Sequence, residues 1–198
     1  VQTCALPISY CDAQLFTEPS KREDALSTVI HEVLHALGWA NDAFAYFWDH
    51  TTGLPRTPRL PGNIMFPSGK SANGPLYNMY GVSNISKPAD TTMKSFTEHG
   101  KVVWKLVTPN ALKYAREQFN CSTLNGVQLE GQGGGGTAGS HLKQTYYKGA
   151  MMAGVSAIGQ IMTKITLGLF EDTGWYHVDY TMAAHMDWLY RSEEHTSE

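Results

Sequence analysis

No apolar run in this 198-residue chain approaches the roughly 20 residues that a membrane-spanning helix needs. No charged segment leading into an apolar stretch opens it, so no secretory leader is visible; if the native start lies further upstream, this is uninformative. Charge of one sign is also lacking. The formal net charge is -3, which gives no basic footprint for nucleic acid. The glycine-dense run at 131–136 is not followed by Gly-Lys-Ser/Thr, which excludes a phosphate loop. No internal repeat stands out. What remains is 42% hydrophobic and 17% charged, the balance of a globular chain long enough for one domain or a piece of a larger one.

Both ends depart from this character. Residues 1–8 and 191–198 resemble translated short-read sequencing adaptors, and they are set aside like any fusion scar. The native stretch is then expected to be 9–190, an internal fragment of a longer gene. Cysteine is scarce. With Cys4 set aside, Cys11 and Cys121 are left to pair with each other or with partners outside the fragment. Two N-x-[ST] sequons, at Asn84 and Asn120, lean towards an exported protein.

Against these absences stands one run, His31-Glu32-Val33-Leu34-His35, followed by Ala36-Leu37-Gly38-Trp39. Two histidines four apart on a helix point the same way and can reach one metal ion. The glutamate between them can act on a metal-bound water without ligating. The pattern predicts a zinc hydrolase, in first place a peptidase. Ser20-Lys21-Arg22-Glu23 has capping-box form, and Gly38 suits a left-handed C-cap, which predicts a helix of about 17 residues. Leu26, Ile30, Val33 and Leu37 form a stripe at helical spacing. The expectation is that this stripe packs on the core while the opposite face, with His31 and His35, carries the chemistry.

Further along, 49–90 is rich in Pro, Gly and Asn and predicts a long insertion with short strands at most. Within it, Pro55-Arg56-Thr57-Pro58-Arg59 reads as a structured surface loop before a basic recognition spot. Phe44, Tyr46, Phe47 and Trp48 are expected in the core beneath it. Met93 to Phe96 and Val102 to Val107 predict a hairpin turning at Glu98-His99-Gly100-Lys101. Thr108-Pro109 is a helix start, with Leu112, Ala115 and Phe119 on its apolar face. Ile158, Ile161, Ile165 and Leu169 predict a third helix stopped near Gly174, with Trp175 and Tyr176 packed behind it.

A catalytic zinc takes three protein ligands and leaves a fourth position open. The compact pattern would put the third histidine three residues past Gly38, where Asn41 stands. Asp49, His50, Glu98, His99, His141, His177 and His185 are the alternatives, and spacing alone does not choose among them. His99 falls in the hairpin turn, where an exposed polar residue is ordinary. His141 follows a glycine-rich loop that can bring the backbone close, and Met151-Met152 comes shortly after, as a methionine turn would.

The chain resembles the leishmanolysin/invadolysin family of zinc metallopeptidases, in the metzincin clan. The runs that carry the resemblance are 28–38, 55–59 and 107–110, then Phe119-Asn120-Cys121, Gly139-Ser140-His141, Met152, 169–176 and 179–183, in order along the chain. The resemblance implies an α+β, metzincin-like zincin domain with an active-site helix, a long insertion, a third-ligand loop, a Met-turn and a carboxyl-terminal helix. It implies one catalytic Zn2+ on His31, His35 and His141, with Met152 beneath it, Glu32 as general base, and protein or peptide substrates. It also implies a parent that is secreted or attached to the cell surface or membrane. Leu142 stands where the family usually has Trp, and Gly149-Ala150-Met151-Met152 departs from its usual methionine turn. Those departures keep a second reading in view, a catalytically impaired surface or adhesion module retaining the fold. A third is a zinc hydrolase acting on a non-peptide bond.

Overall fold

A computed structural model describes residues 19–58, 70–71, 74–75, 88–134, 137–155 and 159–186. The adaptor-like ends, Cys11, the Asn84 sequon, Arg59 and Ile158 lie outside these residues. The architecture is mixed α+β. Helix α1 spans Pro19–Ala36, and two-residue strands β1 (Trp48–Asp49) and β2 (Leu54–Pro55) pair after it. β3 (Lys70–Ser71) and β4 (Gly74–Pro75) form a second small pair inside the insertion. β5 (Met93–Glu98), β6 (Lys101–Leu106) and β7 (Val127–Gln128) make a three-stranded antiparallel sheet. α2 (Pro109–Gln118) connects β6 to β7, and α3 (Lys164–Asp172) is followed by a single 3-10 turn at Tyr180–Met182.

The hairpin follows its local chemistry. Glu98 pairs with Lys101, so His99 and Gly100 are the whole turn, and both have positive φ, 49° and 75°. A two-residue turn of this sense matches the twist of the strands it joins. Strand β7 then lies against β6, and the ladder continues beyond named strands. Leu129 pairs with Leu142, and Leu142 with Ala153. The Leu129 amide donates to the Trp104 carbonyl, Leu142 to Met152, and Met151 to Ile161. Residues 127–130, 141–143 and 150–153 thus lie side by side as an extension of the sheet. Leu142, the residue after His141, is fully buried in the middle of it.

Helix α2 starts after Thr108 with Pro109 in its first turn, as expected, but the Thr108 hydroxyl makes no cap bond. The cap comes from the other end of the chain. The buried Asp172 carboxylate, at the end of α3, accepts from the Asn110 and Ala111 amides and the Asn110 side chain. Burial pushes this carboxyl above its usual range, against the pull of the Ala111 amide. A carboxylate facing free N–H groups at a helix start is favourable for both. The two helices pack closely, and a Cβ on Gly168 would lie 2.9 Å from the Asn110 backbone. Arg56 ties the insertion to this point by donating to the Asp172 carbonyl, so it serves as an internal brace.

Three expectations need correction. The first concerns the stripe on α1. Leu26 is 61% exposed, Val33 48% and Leu37 41%, while His31 and Leu34 are each 7% exposed. The face carrying the histidines is the one packed on the ladder and loop, with Leu34 as its core anchor; only Ile30 of the stripe touches the core. Helical periodicity marks an apolar face but not which segment covers it, and among the described residues none buries this one. Secondly, Pro19 begins α1, so Ser20 sits in the first turn and not at the cap. Thirdly, α3 starts at Lys164. Thr163 caps it through a bond from the Thr166 amide, and Ile161 is held in the ladder opposite Ala150. Of the aromatics after α1, Phe44 and Phe47 are fully buried, Trp48 is half-buried, and Tyr46 is exposed.

Candidate metal centre

The end of α1 is a Schellman cap. The Trp39 amide donates to the Leu34 carbonyl and the Gly38 amide to the His35 carbonyl, with Gly38 at φ 125°. Trp39 and Leu34 meet in the core beneath this turn. Gly38 is required twice, by its φ and by space, since a Cβ there would lie 2.7 Å from the Trp175 ring. The turn swings the Trp39 carbonyl back under the helix, where it accepts from His35 Nδ1 at 2.6 Å.

The other two histidines are held the same way. His31 Nδ1 donates to the Met151 carbonyl at 2.6 Å, and His141 Nδ1 to the Thr137 carbonyl at 2.9 Å. A carbonyl only accepts, so each ring carries its proton on Nδ1. Each Nε2 is then left as a lone pair, and the three lone pairs converge. Nε2 of His31 lies 2.9 Å from that of His141 and 3.1 Å from that of His35, and the His35–His141 separation is also 3.1 Å. Three lone pairs at such distances repel unless a cation sits among them. An imidazole–zinc bond is about 2.0–2.1 Å. That exceeds the centre-to-corner distance of this triangle, so the three nitrogens are close enough together to share one such ion. Backbone carbonyls on the far ring nitrogens are the usual outer support of metal-ligating histidines.

Burial favours the neutral form a metal needs in two of the rings, His35 and His141. Burial pushes His141 down to about 4, helped by charge on His35 and opposed by the Thr137 carbonyl. His35 is also lowered, by burial first, against the pull of the Trp39 carbonyl. Neutral imidazoles bind a metal without first shedding protons.

Among the described residues, His31, His35 and His141 are the group placed to hold a metal ion. The other proposed third ligands are elsewhere. Asp49 closes a turn on Thr51, Glu98 pairs with Lys105, and His50, His99, His177 and His185 are exposed. Asn41 does not join the histidines; its backbone N–H donates to the Ser140 hydroxyl, tying the exit of α1 to the loop that delivers His141. Glu32 is half-buried on α1 beside His31, near enough to favour charge on His35. Met152 is fully buried, and its carbonyl accepts the Leu142 amide. Met151 supplies the carbonyl under His31. Cys121 is a free thiol, partly exposed. Tyr176 reaches α1 through its hydroxyl, which donates to the Leu37 carbonyl.

Glu130 went unnoticed in the sequence. Its signal is an acidic residue opening the glycine run, with Lys143 two residues past His141. It is buried, and its carboxylate accepts from Lys143 Nζ at 2.7 Å and from the amides of Gly131, Gln132 and Gln144. Burial alone would raise its pKa, but Lys143 and these amides hold it below the usual carboxylate range.

A model of the leishmanolysin peptidases matches residues 84–194, the part holding His141 and Met152. The chain belongs to the leishmanolysin family. Leishmanolysin-like peptidase of Drosophila melanogaster is 36% identical over 181 residues, covering 90% of this chain and 26% of the relative. The Caenorhabditis elegans protein of that name is 32% identical over 186 residues, or 91% and 27%. Leishmanolysin of Leishmania major is 29% identical over 171 residues, or 85% and 22%. A match over nine-tenths of the chain takes in His31, His35 and His141. The chain spans about a quarter of the length of these relatives. A leishmanolysin-family chain with a buried three-histidine cluster is consistent with a metallopeptidase domain fragment. No helix among the described residues is long and apolar enough to cross a membrane.

Proposed function

We propose that this chain is the metal-binding core of a metzincin-type zinc endopeptidase acting on protein or peptide substrates. The observation that carries the reading is the convergence of three Nε2 lone pairs, each fixed by a carbonyl on the far side of its ring. His31, His35 and His141 would hold one zinc ion. Bound there, zinc supplies Lewis acidity and lowers the pKa of a water towards about 7.

The remaining work falls to the chain's own groups. The carboxylate of Glu32 takes a proton from the attacking water and aligns its oxygen on the scissile carbonyl carbon. As the C–N bond breaks, the same carboxylate returns that proton to the leaving amine nitrogen, and the water oxygen stays on the new carboxyl group. The carbonyls of Met151, Trp39 and Thr137 keep the three rings oriented throughout. Met152 forms part of the apolar floor and does not ligate.

Cleavage of casein by the zinc-loaded chain, abolished by a chelator and restored by zinc, tests this reading. The Glu32→Ala chain should bind zinc stoichiometrically and cleave nothing. Loss of zinc from that variant would assign Glu32 a different role, and chelator-insensitive cleavage would remove the metal from the reaction.

A further inference from the structure

His31 and His35 are fixed by one helix, but His141 arrives on a loop with glycine at 131, 133–136 and 139. Such a loop has wide conformational freedom, and something must restrict it. The hydrogen bonds at its two ends meet at a single residue. The Glu130 amide donates to the His141 carbonyl at 2.8 Å, and the Gly139 amide donates to the Glu130 carbonyl at 2.8 Å. The Glu130 carboxylate gathers the Gly131 and Gln132 amides on the outgoing side. On the returning side it takes Lys143 Nζ and the Gln144 amide. Between these ends sits the half-buried Thr137, whose carbonyl orients His141. A Cβ on Gly133 would lie 2.7 Å from Thr137 Cβ, and one on Gly154 would lie 3.2 Å from Glu130 Cγ and 3.4 Å from Thr137 Cγ2.

We propose that Glu130 is a positioning residue for the metal centre, its carboxylate latching both ends of the 131–140 loop so that His141 Nε2 meets the pair on α1. The proposal rests on the three-histidine metal site argued above. It makes Lys143 and the Gln144 amide part of the support of His141, although neither touches the histidine ring. A buried carboxylate with four donors also suits the task physically. Charge-assisted bonds are shorter and stronger than neutral ones, and a carboxylate accepts several at once.

The test is zinc affinity of the full 198-residue chain, measured by competition with a chromophoric chelator, together with the visible spectrum of the Co2+-loaded form. Glu130→Ala should weaken zinc binding about 10–100-fold, the usual cost of losing an outer support. Its cobalt spectrum should shift towards that of His141→Ala. Glu130→Gln keeps shape and some acceptor capacity but loses the charge, and a smaller loss, about 3–10-fold, is expected. In a His141→Ala background Glu130→Ala should cost nothing further, because the latch acts through that ring. Zinc affinity within twofold of the unaltered chain in the Gln variant overturns the proposal, and that variant decides alone if the Ala variant does not fold. An equal loss in the His141→Ala background also overturns it, since Glu130 would then be a general stabiliser. If His141→Ala itself leaves zinc affinity unchanged, the metal site fails and the latch with it. A loss on His141→Ala with none on Glu130→Gln sinks the latch alone.

Discussion

His31 and His35 owe their relative position to four residues of one helix and its Schellman cap, whereas His141 owes its position to a glycine-rich loop closed by Glu130, Lys143 and Ser140. The first arrangement is local. The i, i+4 spacing and a glycine at the cap specify it wherever the helix forms. The second is assembled from segments far apart in sequence, and each hydrogen bond in it depends on the ladder having paired in register. The helical pair is therefore a rigid base, and the loop ligand is the part of the centre that other residues can tune.

Removing a ligand from either side should have the largest effect. His31→Ala and His141→Ala should each cost more than the roughly 10–100-fold loss in zinc affinity expected for an outer support. The two should part in hydrogen exchange, because loss of His141 leaves the α1 amides protected while the 137–142 amides open. Equal opening of both segments would erase the distinction between rigid base and tuned ligand. Next in size is Glu32→Gln. Loss of a general base should lower cleavage about 10²–10⁴-fold with zinc affinity unchanged, as checked by turnover of casein beside a zinc titration.

Two glycine variants sharpen the comparison at smaller cost. Gly38→Ala forces a side chain into φ 125° against the Trp175 ring, and should destabilise the fold by about 1–3 kcal/mol in urea unfolding. Gly133→Ala, at φ 88° and against Thr137, should cost about 1–2 kcal/mol and also weaken zinc binding through the His141 support. A Gly133→Ala chain with unaltered zinc affinity would separate the loop's packing from its ligand.

How much of this was legible in the sequence follows the same divide. The helical pair and the hairpin turn at His99-Gly100 depend on neighbours within a few residues, and Pro109 marks the start of α2 locally even though Asp172 supplies its cap. Those are the elements found where the pattern put them. The buried face of α1 was not legible, because the stripe at Leu26, Val33 and Leu37 shows only that a face is apolar. Which face is covered depends on the ladder and on the His141 loop. The start of α3 was missed for a related reason. Ile161 continues a helical spacing, but its backbone is claimed by Gly149 and Met151, and Thr163 supplies a competing cap. Asp172 acts across some sixty residues and Glu130 across a loop of irregular backbone, and single acidic residues give no periodic signal.

The smallest effect should come from a part of the molecule outside both halves. The Lys105 ammonium beside Glu98 holds that carboxyl below its usual range. The pair's stabilisation is therefore fully present above pH 4.5, the ordinary value of a free glutamate. It is lost as pH falls through the lower folded value. Hairpin amides in β5 and β6 should exchange slightly faster below that point. Unchanged exchange of the β5 and β6 amides across that range would show that the pair adds nothing to the hairpin.

The central claim is that three imidazoles, two from a helix and one from a distant loop, bind a single zinc ion. X-ray absorption at the zinc edge tests it directly on the loaded chain. The account predicts one zinc per chain with three imidazole nitrogens at about 2.0–2.1 Å, falling to two in His141→Ala. An imidazole count that His141→Ala leaves unchanged would contradict it.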